Sequence, residues 1–239
     1  MGKTAIVTDA SQGIGAGIVK RLVADGFKVV ANSRNVIKSG EIAASSQIAL
    51  VEGDIGEAVT AARIAETALS RFGSIDVLVN SAGIFFTRPF TDYTAEDFRA
   101  LVSTNLAGFL YITQLSIKQM LMQKTGGNVV TITASLVRNP MRGVTAAVPM
   151  ITKGGLETAT RHLAMEYAKD KIRVNAVAPG VVYTPLHQNA PKNVMESLSP
   201  MGLPSTVEDI VDAVFYLTGA KTVTGTTLYV DGGSHFGRW

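Results

Sequence analysis

The sequence predicts a doubly wound α/β domain with a seven-strand parallel sheet and helices on both faces. Short β-branched runs alternate with longer segments of helical period, and several of the runs are apolar throughout. Alternating strands and helices favour a parallel sheet, and fully apolar strands are typical of strands buried on both faces. No repeat and no Pro/Gly/Ser-rich linker divides the chain, so we expect residues 1–239 to form one domain.

Each predicted element follows from its own local pattern. The predicted strands are Thr4–Thr8, Lys28–Ala31, Ile48–Val51, Val77–Asn80, Asn128–Ile132, Arg173–Val177 and Thr227–Val230. The predicted helices are Ile14–Ala24, Ala58–Arg71, Ala95–Leu101, Leu106–Met122, Ile151–Ala168 and Val207–Leu217. Their spacing is clearest in the second helix, where apolar residues fall at positions 61, 64, 65, 68, 69 and 72.

Composition narrows the class of protein. The absence of cysteine excludes disulfides, thiolate zinc sites and a cysteine nucleophile. The net charge of +3 comes from scattered residues, which argues against a nucleic-acid-binding surface. We find no apolar run near the ~18 residues of a membrane span and no signal-peptide pattern at the start. We therefore expect a cytoplasmic protein with no membrane partner and no metal site.

One segment, Leu186–Pro204, interrupts the alternation. It contains Pro191, Pro200, Pro204 and Gly202 among residues of mixed polarity. It is either a plain connecting loop or a flap over a binding site. Long insertions in compact domains are commonly functional, which favours the flap.

The first strand-to-helix turn has the features of a phosphate-binding loop. Gly13 and Gly15 allow the backbone to approach a pyrophosphate closely. The helix that follows presents free N–H groups and a partial positive charge to that pyrophosphate. A turn with no ligand remains the alternative.

The end of the second predicted strand bears on cofactor choice. Proteins that bind NAD often carry an acid about 20 residues after the glycines, where it bonds the ribose 2′-hydroxyl. Here Ser33 takes that place and Arg34 follows it. A guanidinium can pair with a 2′-phosphate, so Arg34 favours NADP(H), with NAD(H) as the second possibility. The alternative is a solvated surface arginine.

Further landmarks follow in a fixed order along the chain. They are Asp54-Ile55, Asn80-Ser81-Ala82-Gly83, Asn105, Ser135, Lys153, Pro179–Thr184 and Val230-Asp231-Gly232-Gly233. With the turn Thr8–Gly15, this series resembles the short-chain dehydrogenase/reductase family from end to end. The resemblance implies a Rossmann-type fold, a nicotinamide cofactor and a small carbonyl or alcohol substrate.

The resemblance also implies roles for individual residues. The serine positions the substrate oxygen, the lysine holds the cofactor ribose and lowers the pKa of a tyrosine, and the asparagine supports a water relay. The implied catalytic residues are Asn105, Ser135 and Lys153. The implied cofactor-binding residues are Ser11, Gln12, Gly13, Ile14, Gly15, Ser33, Arg34, Asp54, Ile55, Asn80, Ala82, Gly83, Lys153, Pro179, Gly180, Val182 and Thr184. Local structural roles are the alternative for Asn105, at a helix kink, and Ser135, at a strand end.

Two departures from the family pattern fall on functional positions. Asp9 replaces the first glycine of the cofactor turn. A carboxylate pointing inward would repel the pyrophosphate, by roughly 1 kcal/mol in water and about 4 at intermediate dielectric for unit charges ~4 Å apart. A carboxylate that turns outward, or caps the following N–H groups, would cost little.

The second departure is Pro149, which stands where the family has the proton-donating tyrosine. Proline suits the first turn of a helix but can neither give nor take a proton there. Loss of a general acid typically lowers the rate by ~10²–10⁴. The possible replacements are Tyr183, His187 and Lys153 acting through water from Ser135, and less attractively Thr145 or Thr152; His162 is expected to be structural.

Two readings of function follow. The first is an NADP(H)-preferring oxidoreductase with an altered proton path, and the second is a dinucleotide-binding or structural protein without turnover. Phe85, Phe86, Tyr183 and the segment 186–204 are expected to line an apolar substrate pocket. The resemblance implies a homo-oligomer, a tetramer or a dimer, in which helices 106–122 and 151–168 pack against their copies.

Overall fold

The computed structural model describes residues 2–184 and 191–237. The strands are β1 (Thr4–Thr8), β2 (Lys28–Ser33), β3 (Ile48–Glu52), β4 (Val77–Asn80), β5 (Gly127–Ile132), β6 (Ile172–Pro179) and β7 (Thr227–Val230). The helices are α1 (Gly13–Ala24), α2 (Ala58–Phe72), α3 (Ala95–Leu101), α4 (Gly108–Gln123), α5 (Ala147–Glu166), α6 (Lys192–Ser197) and α7 (Val207–Gly219). The predicted fold class is confirmed.

All seven strands lie in one parallel sheet of order β3-β2-β1-β4-β5-β6-β7. The order reverses between β1 and β4, and ligands of such folds bind beyond the carboxyl ends of the strands at this point. Side chains alternate between the two cores. In β1, Val7 packs on the face covered by α1 and α7, whereas Ile6 packs on the face covered by α2 and α4. Burial on both faces explains why these strands are apolar throughout.

Two element boundaries differ from expectation in a way that matters for the site. Helix α5 begins at Ala147, four residues before the expected Ile151, so that Pro149 is its third residue. An N–H in the first turn has no partner within the helix, so the proline is tolerated there. Strand β6 continues beyond the expected Val177 to Pro179 and carries the chain to the edge of the cleft.

Helices α3 and α4 join through a π-helical turn, Val102–Ala107, into one helix from Ala95 to Gln123. By length and composition this 29-residue helix could cross a membrane, contrary to the expectation that no segment would qualify. Three of its residues, Ile112, Ile117 and Met120, pack in the core beneath the sheet. Of its most apolar stretch 39% is buried inside the protein, and a single helix of this kind is weak evidence for a membrane span.

Candidate active site

A cleft of about 670 Å³ lies at the carboxyl ends of the strands, beside the reversal of strand order. Twelve of the predicted site residues line it: Gln12, Gly13, Ile14, Gly15, Arg34, Gly83, Ser135, Lys153, Pro179, Gly180, Val182 and Thr184. Residues far apart in the sequence therefore meet around one space, whose size is within the usual range for small-molecule sites.

The turn after β1 has the close backbone packing that its glycines predict. A Cβ on Gly15 would lie 2.1 Å from the main-chain oxygen of Asp9, so no side chain fits there. Gly13 has a φ of 53°, and Asp9 has the same value. Aspartate is among the residues that best tolerate this left-handed conformation, so the turn keeps its shape without the family's glycine. No side chain caps the N-terminus of α1, whose N–H groups remain available to a phosphate.

Three charged side chains line the cleft in the described ranges: Asp9, Arg34 and Lys153. Burial raises the pKa of the Asp9 carboxyl, and the nearby Arg34 and Lys153 partly offset that rise. The Asp9 carboxylate caps none of the N–H groups that follow it, and it makes no hydrogen bond or ion pair with any described residue. The interpretation of Asp9 as a cap is therefore wrong.

The other predicted cofactor residues lie around the same end of the sheet but do not line the cleft. The Ser33 hydroxyl donates a 2.9 Å hydrogen bond to the Ser11 hydroxyl, which ties the ends of β1 and β2 together. Asp54 accepts a hydrogen bond from Gly56 N within its own turn. The remaining three, Ile55, Asn80 and Ala82, border a small neighbouring cavity, as does the implied catalytic residue Asn105.

Asn105 sits in the π-helical turn and holds the loop after β4. Its Oδ1 accepts from Ile84 N at 2.9 Å, and its Nδ2 donates to Ile84 O at 3.1 Å. Nδ2 also donates to the Thr152 hydroxyl, which in turn donates to Pro149 O. The Asn105 side chain thus makes the local structural bonds that its alternative predicts, and its part in a water relay stays a prediction. Thr152 is engaged in the same way and is not free to donate a proton into the cleft.

Lys153 is the buried centre of the site. Its Nζ donates a 2.9 Å hydrogen bond to Ile132 O, at the end of β5. A Cβ on Gly83 would lie 2.8 Å from this Nζ and 3.4 Å from Asn105 Oδ1, so Gly83 provides the room for the lysine. Burial lowers the pKa of Lys153 to about 8, and the charge of Asp9 opposes the fall. The amine is therefore poised to exchange a proton near neutral pH.

Ser135 follows β5 in a short turn and lines the cleft, as predicted. Pro149 is buried and does not line it. Of the suggested replacements for the tyrosine, Tyr183 is 40% exposed and outside the cleft lining, and Thr145 is exposed. His187 lies outside the described residues, and His162 is exposed on α5. Among the described candidates, only Lys153 lines the cleft.

Several of the residues expected to line a substrate pocket do line the cleft, whose lining is mainly apolar. Phe85 and Phe86 line it as expected, and Leu198 does so from the segment 186–204, whereas the expectation for Tyr183 is wrong. The described part of this segment contains the short helix α6, and residues 186–190 lie outside the described residues. Sequence reasoning missed several lining residues because no motif marks them: Ile84, Leu136, Met141, Val144 and Ser234.

Comparisons with known proteins agree with this geometry. A family model described as enoyl-(acyl carrier protein) reductase matches residues 9–235. The chain is 34% identical to 3β-hydroxysteroid dehydrogenase 1 of Eggerthella lenta, covering 97% of this chain and 93% of that protein. It is also 34% identical to L-xylulose reductase of Bos taurus, covering 97% and 96%.

Solved structures have the same architecture. The 3-ketoacyl-(acyl-carrier-protein) reductase of Brucella melitensis, complexed with NADH, has a TM-score of 0.91 and 30% identity, covering 98% of each chain. ElxO with bound NADP has a TM-score of 0.89 at 24% identity, covering 99% of this chain and 100% of that one, and shows the fold alone. Sequence, fold and cleft agree that this chain belongs to the short-chain dehydrogenase/reductase family of oxidoreductases.

Proposed function

We propose that this protein is an NADP(H)-preferring oxidoreductase that acts on a small carbonyl or alcohol, with Lys153 as its proton donor. The observation that carries the proposal is the place of the Lys153 amine, buried beside the cleft with a pKa lowered to about 8. A lysine shifted into this range is suited to general acid–base work at neutral pH.

The described residues fit a nicotinamide dinucleotide. The uncapped N-terminus of α1 and the tight Gly13–Gly15 turn suit the pyrophosphate, and Arg34 suits a 2′-phosphate. Pro179, Gly180, Val182 and Thr184 also line the cleft, and the resemblance assigns this segment to the nicotinamide. The bound cofactor supplies or accepts a hydride.

The chain's own residues would hold the substrate and move the proton. The Ser135 hydroxyl orients the substrate oxygen, and the proton reaches this oxygen from Lys153 through the serine or a water. The charged Lys153 amine has three N–H groups, and its hydrogen bond to Ile132 O uses one of them. The other two N–H groups remain available for proton transfer. Asn105 positions Ile84 and α5 around this pair through its hydrogen bonds.

The other expectations about partners and location belong to the same proposal. We propose one domain, with the segment 186–204 covering a small-molecule substrate, in a cytoplasmic homo-oligomer without nucleic-acid or membrane partners. Exposed apolar side chains on the two helices expected at the subunit interface support self-association: Leu110 and Met122 on α4, and Ile151 and Met165 on α5. Light scattering with size-exclusion chromatography tests the assembly.

Calorimetric titration with NADPH and NADH tests the cofactor proposal without a guess about substrate. We expect micromolar binding of NADPH and weaker binding of NADH, with Arg34→Gln reducing the difference. Failure of both dinucleotides to bind would overturn the proposal. The second candidate, a dinucleotide-binding protein without turnover, is favoured by Pro149 and predicts binding with no carbonyl-dependent oxidation of NADPH.

A further inference from the structure

Asp9 and Arg34 face the cleft from the ends of neighbouring strands. Strands β1 and β2 pair in parallel as far as Thr8 and Asn32, and Ala10 N donates to Asn32 O at 2.9 Å. This register places residue 9 beside the end of β2, where Arg34 follows. Both side chains line the cleft, and Arg34 is close enough to stabilise the charge of Asp9.

Neither charged group is hydrogen-bonded or ion-paired within the described part of the chain, although the two feel each other's charge. Within the ranges 2–184 and 191–237, Asp9 and Arg34 take part in no side-chain hydrogen bond and no salt bridge. By contrast, the neighbouring hydroxyls of Ser11 and Ser33 bond each other. A carboxylate and a guanidinium that line the same cleft are therefore both available to a ligand, and the two prefer different ligand groups.

The two ligand groups that these charges suit distinguish NAD(H) from NADP(H). A carboxylate accepts a hydrogen bond from a ribose hydroxyl, whereas a guanidinium pairs with a phosphate. We propose that Asp9 is the acid of the adenosine ribose site, supplied by β1 instead of β2, and that it competes with Arg34 in choosing between NAD(H) and NADP(H). This inference rests on the proposed cofactor site and adds a specificity-determining residue to it.

The proposal predicts opposite effects of two substitutions. Asp9→Asn removes the repulsion of the 2′-phosphate, so we expect the ratio of NADPH to NADH affinity to rise about tenfold or more. Arg34→Gln should lower the same ratio. The exposed Asp25→Asn, which removes one negative charge far from the cleft lining, is the matched control and should leave the ratio unchanged.

Lowering the pH should change the ratio of NADPH to NADH affinity in the same direction as Asp9→Asn. Protonation of the carboxyl removes its charge, while Arg34 and Lys153, the other charged groups facing it, stay positive as the pH falls. The 2′-phosphate also titrates near pH 6, so the informative quantity is the difference between wild type and Asp9→Asn. We expect the NADPH to NADH ratio of the wild type to approach that of Asp9→Asn as the pH falls.

Calorimetric affinities of NADPH and NADH for the wild type and the three variants test the role of Asp9 in cofactor choice. A ratio that changes in opposite directions in Asp9→Asn and Arg34→Gln supports the proposal. Equal strengthening of both dinucleotides in Asp9→Asn would overturn it, because Asp9 would then act on the shared pyrophosphate. An unchanged ratio would overturn it as well. If the wild type binds neither dinucleotide, the proposed function itself fails.

Discussion

The amine of Lys153 donates a hydrogen bond to the main-chain oxygen of Ile132, at the point where β5 opens into the cleft. The bond fixes the position of a lysine whose pKa burial has lowered to about 8. In the family pattern this lysine lowers the pKa of a proton-donating tyrosine, and here Pro149 occupies the position of that tyrosine. The proposed chemistry therefore depends on one amine.

The pH dependence of reduction should report this amine. Reduction needs the protonated form, so kcat/KM is expected to be level below about pH 8 and to fall tenfold per pH unit above it. Alcohol oxidation needs the neutral amine and should rise towards the same pH. Lys153→Arg stays charged throughout and should give a slower but level profile for reduction. A wild-type profile that stays level to about pH 10, near the ordinary lysine pKa, would contradict the assignment.

Replacement of Lys153 by methionine should stabilise the fold. The pKa in the folded protein is about 8, below the ordinary 10.5, so the unfolded state binds the proton more tightly. Stability from this group is therefore lowest below about pH 8 and rises with pH until the unfolded lysine also deprotonates. At neutral pH, Lys153→Met should raise the free energy of unfolding by about 1–3 kcal/mol.

Urea denaturation at neutral pH and at about pH 10 measures this effect. The gain in Lys153→Met should shrink at the higher pH, because the wild-type amine is then neutral. Lys169→Met, at an exposed position, is the matched control and should change stability little. A loss of stability in Lys153→Met at neutral pH would show that the ammonium is well accommodated.

Gly83→Ala should displace Lys153. The added Cβ would lie 2.8 Å from Nζ and 3.4 Å from Asn105 Oδ1, so the amine has to move. Misplacement of a reacting group by about 1 Å can cost ~10²-fold in rate, and we expect a loss of that order. Gly219→Ala is the control, because its Cβ would meet nothing within 4 Å. Steady-state kinetics and circular dichroism of both variants would reveal whether activity falls while the fold persists. Undiminished activity in Gly83→Ala would show that Lys153 takes no part in the reaction.

Pro149→Tyr should restore the family's proton donor. The position is the third residue of α5, where a tyrosine adopts helical dihedral angles without strain. If the rest of the site is competent, carbonyl reduction should increase by ~10²–10⁴. Pro149→Phe adds the ring without the hydroxyl and should give no increase. No gain from Pro149→Tyr with any of a panel of carbonyl compounds would favour the non-catalytic alternative.

Much of the fold follows from local pattern. Apolar runs and helical spacing predict every strand and all helices except α6, because burial on both faces of the sheet leaves a strong signal in the sequence. The predicted start of α5 at Ile151 is four residues late, although Pro149 was expected to suit a first turn, because residues 147–150 carry no helical period that marks the start. The π-helical turn Val102–Ala107 that joins α3 and α4 was not predicted either, because no period in the sequence marks it.

The site is predictable only where residues act through the backbone or through a motif. The motifs predict Gly15 and Gly83 correctly because only glycine fits at these positions. A Cβ on Gly15 would meet the backbone of Asp9, and a Cβ on Gly83 would meet the buried amine of Lys153. The orientation of the Asp9 side chain depends on the register of β1 with β2 and on a left-handed φ. The sequence therefore leaves open whether its carboxylate caps the turn or faces the cleft. The apolar residues Met141 and Val144 enter the cleft through tertiary packing and carry no local signature.

Oxidation of NADPH in the presence of carbonyl compounds, compared between wild type and Lys153→Met, tests the central claim most directly. NADPH binding to both proteins is first checked by calorimetry, so that a lost rate is not a lost cofactor. The account predicts turnover by the wild type and a loss of at least ~10²-fold in the variant. Equal rates in the two proteins would contradict it and place the proton donor elsewhere in the cleft.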